Sequence, residues 1–230
     1  MDLLKAASVT VLMGVLLNCN RKGNEQMLPT IFALSVVLAL GASAWIDSLY
    51  RREREILTFP NKIGAAAFRL PLLMVGGSLL AFFLSGTDRA IQEVLKCLLL
   101  GYFLLMTMVT DLEQHLIFDR MQLPFALLAL IFMSLSGQLG NHLLAAVAGG
   151  IAFLLLALLT RGAIGGGDIK LMFVLGLWLG MEKLLQVIAG GFILGGLVAG
   201  VMLLSGRWKR DEHFAYSPYF SVIALILLLV

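Results

Sequence analysis

Charge and cysteine are what this chain of 230 residues has least of. Only 13% of its residues are charged, against 60% that are hydrophobic. A soluble domain carries about a quarter charged residues and could not hide so much apolar surface. That excludes a soluble globular protein and leaves an integral membrane protein. Two cysteines, Cys19 and Cys97, stand far apart with no C-x-x-C between them. Neither a disulfide scaffold nor a structural zinc site is indicated. The three histidines, His115, His142 and His213, lack metal-ligand spacing, and no G-x-S-x-G occurs. No metal site is expected, and no serine hydrolase. Net charge is a modest +3 with no basic stripe, so nucleic acid is not an expected partner. No internal repeat is evident, which argues against a transporter built from repeated halves.

What is present is a series of long apolar runs. A bilayer core about 30 Å thick takes roughly 20 residues of helix, and only self-satisfied backbone can cross it. Candidate spans are 3–19, 29–49, 64–85, 91–110, 121–137, 142–160, 169–181, 184–205 and 214–230. The expected fold is all-α, a polytopic bundle of eight to nine transmembrane helices forming a single integral membrane domain. Residues 1–28 would add an extra N-terminal span and loop to a bundle over 29–230. The first run has no small-x-small cleavage site and reads as a retained span. Alternate loops hold Arg51, Arg52, Arg54, Lys62, Arg120, Arg161, Lys170, Arg207, Lys209 and Arg210 on one side, and Arg21, Lys22, Arg89 and Lys183 on the other. The richer side is read as cytoplasmic, which puts the N-terminus inside and the C-terminus outside. Gly190, Gly191, Gly195, Gly196 and Gly200 are expected to let helix backbones approach closely.

Most of the 14 acidic residues lie in evident loops. Asp47 instead sits inside the second span, Asp111 closes the fourth, Asp119 follows it, and Asp168 opens the seventh. No charge occurs over Leu99–Thr110, so Asp111 lies at or just below the headgroup level. Asp168 follows Gly165, Gly166 and Gly167, a run suited to positive φ or to close approach of a peptide. Both carboxylates fall at helix ends on one side of the membrane. Two carboxylates brought together share a proton, which suits acid–base hydrolysis of a peptide bond. From the helix-end polarity, Asp168 is expected to be the ionised base and Asp111 the protonated acid.

The stretch "GGGDIKL" (Gly165–Leu171) resembles the G-x-G-D-x-K-L motif of the prepilin peptidases, aspartic membrane proteases of the GxGD type. "TDLEQHLIFDRMQLP" is similar to their first catalytic motif, an Asp followed by a short loop and I-P-D. "SAWIDSLYRR" weakly resembles their N-terminal motif, and "FAYSPYFSVIAL" their P-F-G-P-F-L stretch. The resemblance implies that Asp111 and Asp168 are the catalytic aspartates. It makes Lys170 the motif lysine and Asp119 the non-catalytic Asp of I-P-D. It implies a bacterial inner membrane protein that removes the basic leader from a type IV prepilin or pseudopilin at the cytoplasmic face. Phe118 replaces the I-P-D proline, which should loosen that turn. Ser43 and Asp47 depart from the N-terminal motif.

Proteolysis by such a pair needs no cofactor. Many family members also methylate the new N-terminus with S-adenosylmethionine and carry two C-x-x-C pairs in a large loop. That loop is short here and the cysteines are missing, so the second activity stays open. Glu53, Glu55, Glu113 and Asp119 are candidates for contact with a basic leader. Two other readings are a small proton-coupled transporter or channel, with the aspartates lining an ion path, and a non-catalytic assembly subunit.

Overall fold

A computed structural model describes residues 27–59, 68–87, 89–161, 164–205 and 216–229. These residues form seven α-helices and one short 3-10 turn, with no strand among them. The helices are α1 (Met27–Arg52), α2 (Arg69–Ser85), α3 (Ile91–Gln114), α4 (Asp119–Leu135), α5 (Leu139–Leu159), α6 (Gly166–Leu204) and α7 (Ser217–Leu229). The 3-10 turn is Arg54–Ile56. The all-α expectation holds, and the protein is a membrane protein.

The expected count of eight to nine spans is not supported. Among the described residues, four helices are long and apolar enough to cross a bilayer: Pro29–Arg52, Ile91–Gln114, Leu139–Leu159 and Gly166–Leu204. Helices α2 and α7 are apolar but only 17 and 13 residues long. At about 1.5 Å per residue both fall short of a 30 Å core. The proposed first span, 3–19, lies outside the described residues. The proposed pair 169–181 and 184–205 occupies the single element α6.

The described residues fall into two compact units. The first holds α1, α2 and α3 as far as Met106. Glycines let its helices close on one another. A side chain at Gly77 would collide with the Tyr102 hydroxyl, and one at Gly101 with Leu80. The Tyr102 hydroxyl bonds both the hydroxyl and the backbone carbonyl of Ser35, so this buried polar group is satisfied inside apolar surroundings. Arg69 is fully buried. Its guanidinium pairs with Asp47 and lies over the Tyr50 ring, 4.9 Å from the centroid. Asp47, unexpected inside an apolar helix, is thus the counter-ion that a buried arginine requires.

The second unit holds residues 56–59 and Thr107–Leu228. Helix α5 packs along α6, and α4 packs on α6 as well. Close approach centres on Gly176, where a Cβ would lie 2.5 Å from the backbone of Ala146. Gly180 breaks α6 with φ 75° and ψ 177°, a conformation nearly confined to glycine. There the path turns back. A Cβ at Gly149 would meet Met172 O at 3.2 Å and Leu184 Cδ2 at 2.8 Å. Twelve residues of unbroken helix would set those two partners about 18 Å apart. Past the turn, Phe192 stacks on Phe153 with ring centroids 5.8 Å apart. Gly191 and Gly195 make room for rings rather than backbone, the first for Phe220 and the second for Tyr219 and Tyr216. Gly196 and Gly200 face open space, so they do not serve the close backbone contact expected of them.

Candidate active site

Both sequence-predicted aspartates lie in the second unit. Asp111 sits in the last turn of α3. Its carbonyl accepts the His115 N–H at 2.8 Å, and His115 then takes left-handed φ (51°), which stops the helix. Three residues beyond Asp111, Gln114 is buried and grips the backbone of Phe59 twice. Gln114 Oε1 accepts the Phe59 N–H at 2.9 Å, and Nε2 donates to the Phe59 carbonyl at 3.2 Å. The connection to α4 ends at Phe118, which is buried with φ −77° and ψ 132°. A proline ring would impose almost the same φ. The substitution at the I-P-D position therefore keeps the backbone path and adds a buried ring.

Asp168 lies in the first turn of α6, where Gly165 is the N-cap (φ −72°, ψ 151°). The Asp168 N–H bonds the Gly165 carbonyl at 3.1 Å, closing the first turn of the helix. None of the three glycines has positive φ, contrary to one expected use of the run. Close approach is the use they show, and only at Gly167, where a Cβ would stand 3.1 Å from Ile117 Cβ.

Gly167 against Ile117, and the bond from Gln122 to the Gly167 carbonyl, tie the start of α6 to the loop and helix that follow Asp111. Asp111 is only 6% exposed. Its Oδ2 has no hydrogen-bond partner.

The other candidates are dispersed. Lys170 Nζ bonds both carboxylate oxygens of Asp119, at 2.7 and 2.6 Å, in an exposed pair. Glu113 is half-buried in the last turn of α3. Glu53 and Glu55 belong to the first unit. Two residues without any mark in the sequence lie beside the site. Gln122, 3% exposed on α4, donates from Nε2 to the Gly167 carbonyl at 3.2 Å. Ser217, fully buried, opens α7, whose Ser221 hydroxyl lies 3.3 Å from that of Thr107, one turn before Asp111. Both lie inside stretches singled out by sequence, "DRMQLP" and "YSPYF", but neither position there reads as functional from sequence alone.

The family model of the type IV leader peptidases matches residues 98–200, which include Asp111 and Asp168. The sequence is similar to several proteins named prepilin leader peptidase/N-methyltransferase. One from Bacillus subtilis (strain 168) is 32% identical over 50% of this sequence and 47% of its own length. One from Aeromonas salmonicida (strain A449) is 29% identical over 72% of this sequence and 59% of the relative. One from Neisseria gonorrhoeae is 35% identical over 56% of this sequence and 46% of the relative. The protein spans about half the length of the leader peptidases it matches. No solved structure matches it. The family match runs through α3 from Leu98, across α4 and α5, and into the second arm of α6 as far as Gly200.

Proposed function

We propose that the protein is an aspartic endopeptidase that removes the basic leader from type IV prepilins or pseudopilins, with Asp111 and Asp168 as its catalytic pair. The observation that carries this reading is that Asp111, buried with an unpartnered oxygen, and Asp168 occupy end turns of helices whose neighbours Ile117 and Gly167 are in contact. In such a pair one carboxylate takes a proton from water as the oxygen attacks the scissile carbonyl. The other gives a proton to the departing amide nitrogen. Water is consumed, the C–N bond breaks, and the pair regains its starting charge.

A prepilin presents an apolar helix with a basic leader at one end, so its scissile bond would lie at the membrane face, level with these helix ends. The loop charges favour the cytoplasmic face of a bacterial inner membrane, with the N-terminus inside and the C-terminus outside. Proteolysis needs no cofactor. S-adenosylmethionine would be the methyl donor for the second activity in the relatives' names. The residues gathered around Asp111 and Asp168 fit hydrolysis, and none is assigned to that donor. A role for Glu53, Glu55 or Glu113 in attracting the leader rests on charge alone, and Asp119 is engaged by Lys170.

The test uses membranes containing the protein and a prepilin, with leader removal and any added methyl group followed by mass. Wild type should cut, while Asp111→Asn and Asp168→Asn should not. Normal cutting by either variant, or none by wild type, would falsify the assignment.

A further inference from the structure

Three buried polar side-chain atoms among the described residues lack a hydrogen-bond partner: Asp111 Oδ2, Gln122 Oε1 and Ser217 Oγ. Such atoms are rare inside folded proteins and weaken the fold that holds them. These three share one neighbourhood. The Thr107–Ser221 hydroxyl contact, one turn from Asp111 and from Ser217, sets Ser217 beside the end of α3, and Gln122 is bonded to the residue before Asp168. The carboxamide orientation is fixed by its neighbour: only the NH₂ can donate to the Gly167 carbonyl, so the oxygen is the free end.

The two unpartnered groups flanking the carboxylates are chemically complementary. Gln122 Oε1 can only accept a hydrogen bond, whereas the Ser217 hydroxyl can donate one. One acceptor and one donor match what an extended peptide offers, a backbone N–H and a backbone carbonyl. We infer that Gln122 and Ser217 hold the substrate's backbone beside the scissile bond, Gln122 Oε1 accepting a peptide N–H and Ser217 Oγ donating to a peptide carbonyl. This rests on the endopeptidase reading and adds two substrate-positioning residues to it. It also accounts for how a site could recognise a peptide backbone regardless of the side chains around the cut, leaving sequence choice to other contacts.

The test compares a synthetic prepilin segment with versions in which one amide near the cut is replaced by an ester, which removes a single N–H. Each is assayed with wild type, Gln122→Met and Ser217→Ala. Loss of one such hydrogen bond should lower kcat/KM by about two- to tenfold. At one ester position the loss should coincide with that of Gln122→Met, and the two should not add. Ser217→Ala removes the hydroxyl alone and should lower kcat/KM by a similar factor, additively with that ester. Ester losses that add to Gln122→Met at every position overturn the role of Gln122. Wild-type kcat/KM in Ser217→Ala overturns that of Ser217. Should Gln122→Met fail to fold, by its melting transition in detergent, Gln122→Glu keeps an acceptor at the site and is put through the same ester series. In either case, loss of cutting in Asp111→Asn and Asp168→Asn leaves the endopeptidase reading standing. Continued cutting in those variants removes the endopeptidase reading itself.

Discussion

The hydroxyls of Thr107 on α3 and Ser221 on α7 lie 3.3 Å apart in a buried contact, one helical turn before Asp111 and one after Ser217. This contact ties the end of α3 to the start of α7.

Thr107→Val and Ser221→Ala should each destabilise the protein modestly, because interhelical hydrogen bonds in membranes average about 0.6 kcal/mol. The double variant should lose less than the sum, since both changes break one bond. Unfolding of the three variants in detergent measures this, and full additivity would count against the bond.

The three glycines before Asp168 should respond differently to alanine. A Cβ at Gly166 meets nothing within 4 Å, and one at Gly165 meets Asp168 Oδ2 at an ordinary 3.5 Å. Gly166→Ala and Gly165→Ala should fold and cut nearly as wild type. Gly167→Ala presses on Ile117 at 3.1 Å and should lose about 1–3 kcal/mol to overpacking. Ile117→Val in that background should recover part of the loss. Equal effects at all three positions would indicate a need for backbone flexibility instead.

Lys170 and Asp119 form an exposed pair, 55% and 67% accessible, so solvent screens most of their attraction. Lys170→Met should cost less than about 1 kcal/mol of stability, and less again in high salt. Exchanging the two charges, Asp119→Lys with Lys170→Asp, should restore what either single change loses. Melting curves at two salt concentrations decide the matter.

Gly180→Ala should be harmful whatever room is available. Its φ of 75° with ψ of 177° disfavours any side chain, by about 1–3 kcal/mol, and a Cβ there would lie 3.0 Å from Asn141 Nδ2. The lowered melting point should not be rescued by trimming Asn141, because backbone strain is the larger part. Rescue by Asn141→Ala would assign the effect to crowding.

The helices and the two aspartates were legible because charge stands out in an apolar run. Asp111 and Asp168 each mark the point where a hydrophobic segment starts or ends, and both occupy end turns of helices. Gln122 and Ser217 carried no such mark. A polar uncharged residue near a helix start is ordinary, and only the tertiary arrangement reveals that their oxygens lack partners. Asp47 was visible as an anomaly, yet its explanation, Arg69, lies on another helix. The glycines misled because spacing does not distinguish room for a ring, as at Gly191, from contact between backbones, as at Gly176. The span count is not supported for a different reason: α2 and α7 are apolar throughout but only 17 and 13 residues long, and hydropathy alone does not fix where a helix begins and ends.

Helix direction bears on topology through Gly180. Counted as a single crossing, Gly166–Leu204 would carry Leu204 to the opposite face from Asp168. A helix that reverses at Gly180 heads back, and Gly195 meets Tyr216, the neighbour of Ser217. The reversal separates two arms where the sequence divided 169–181 from 184–205, so a map that counts Gly166–Leu204 once loses a change of direction.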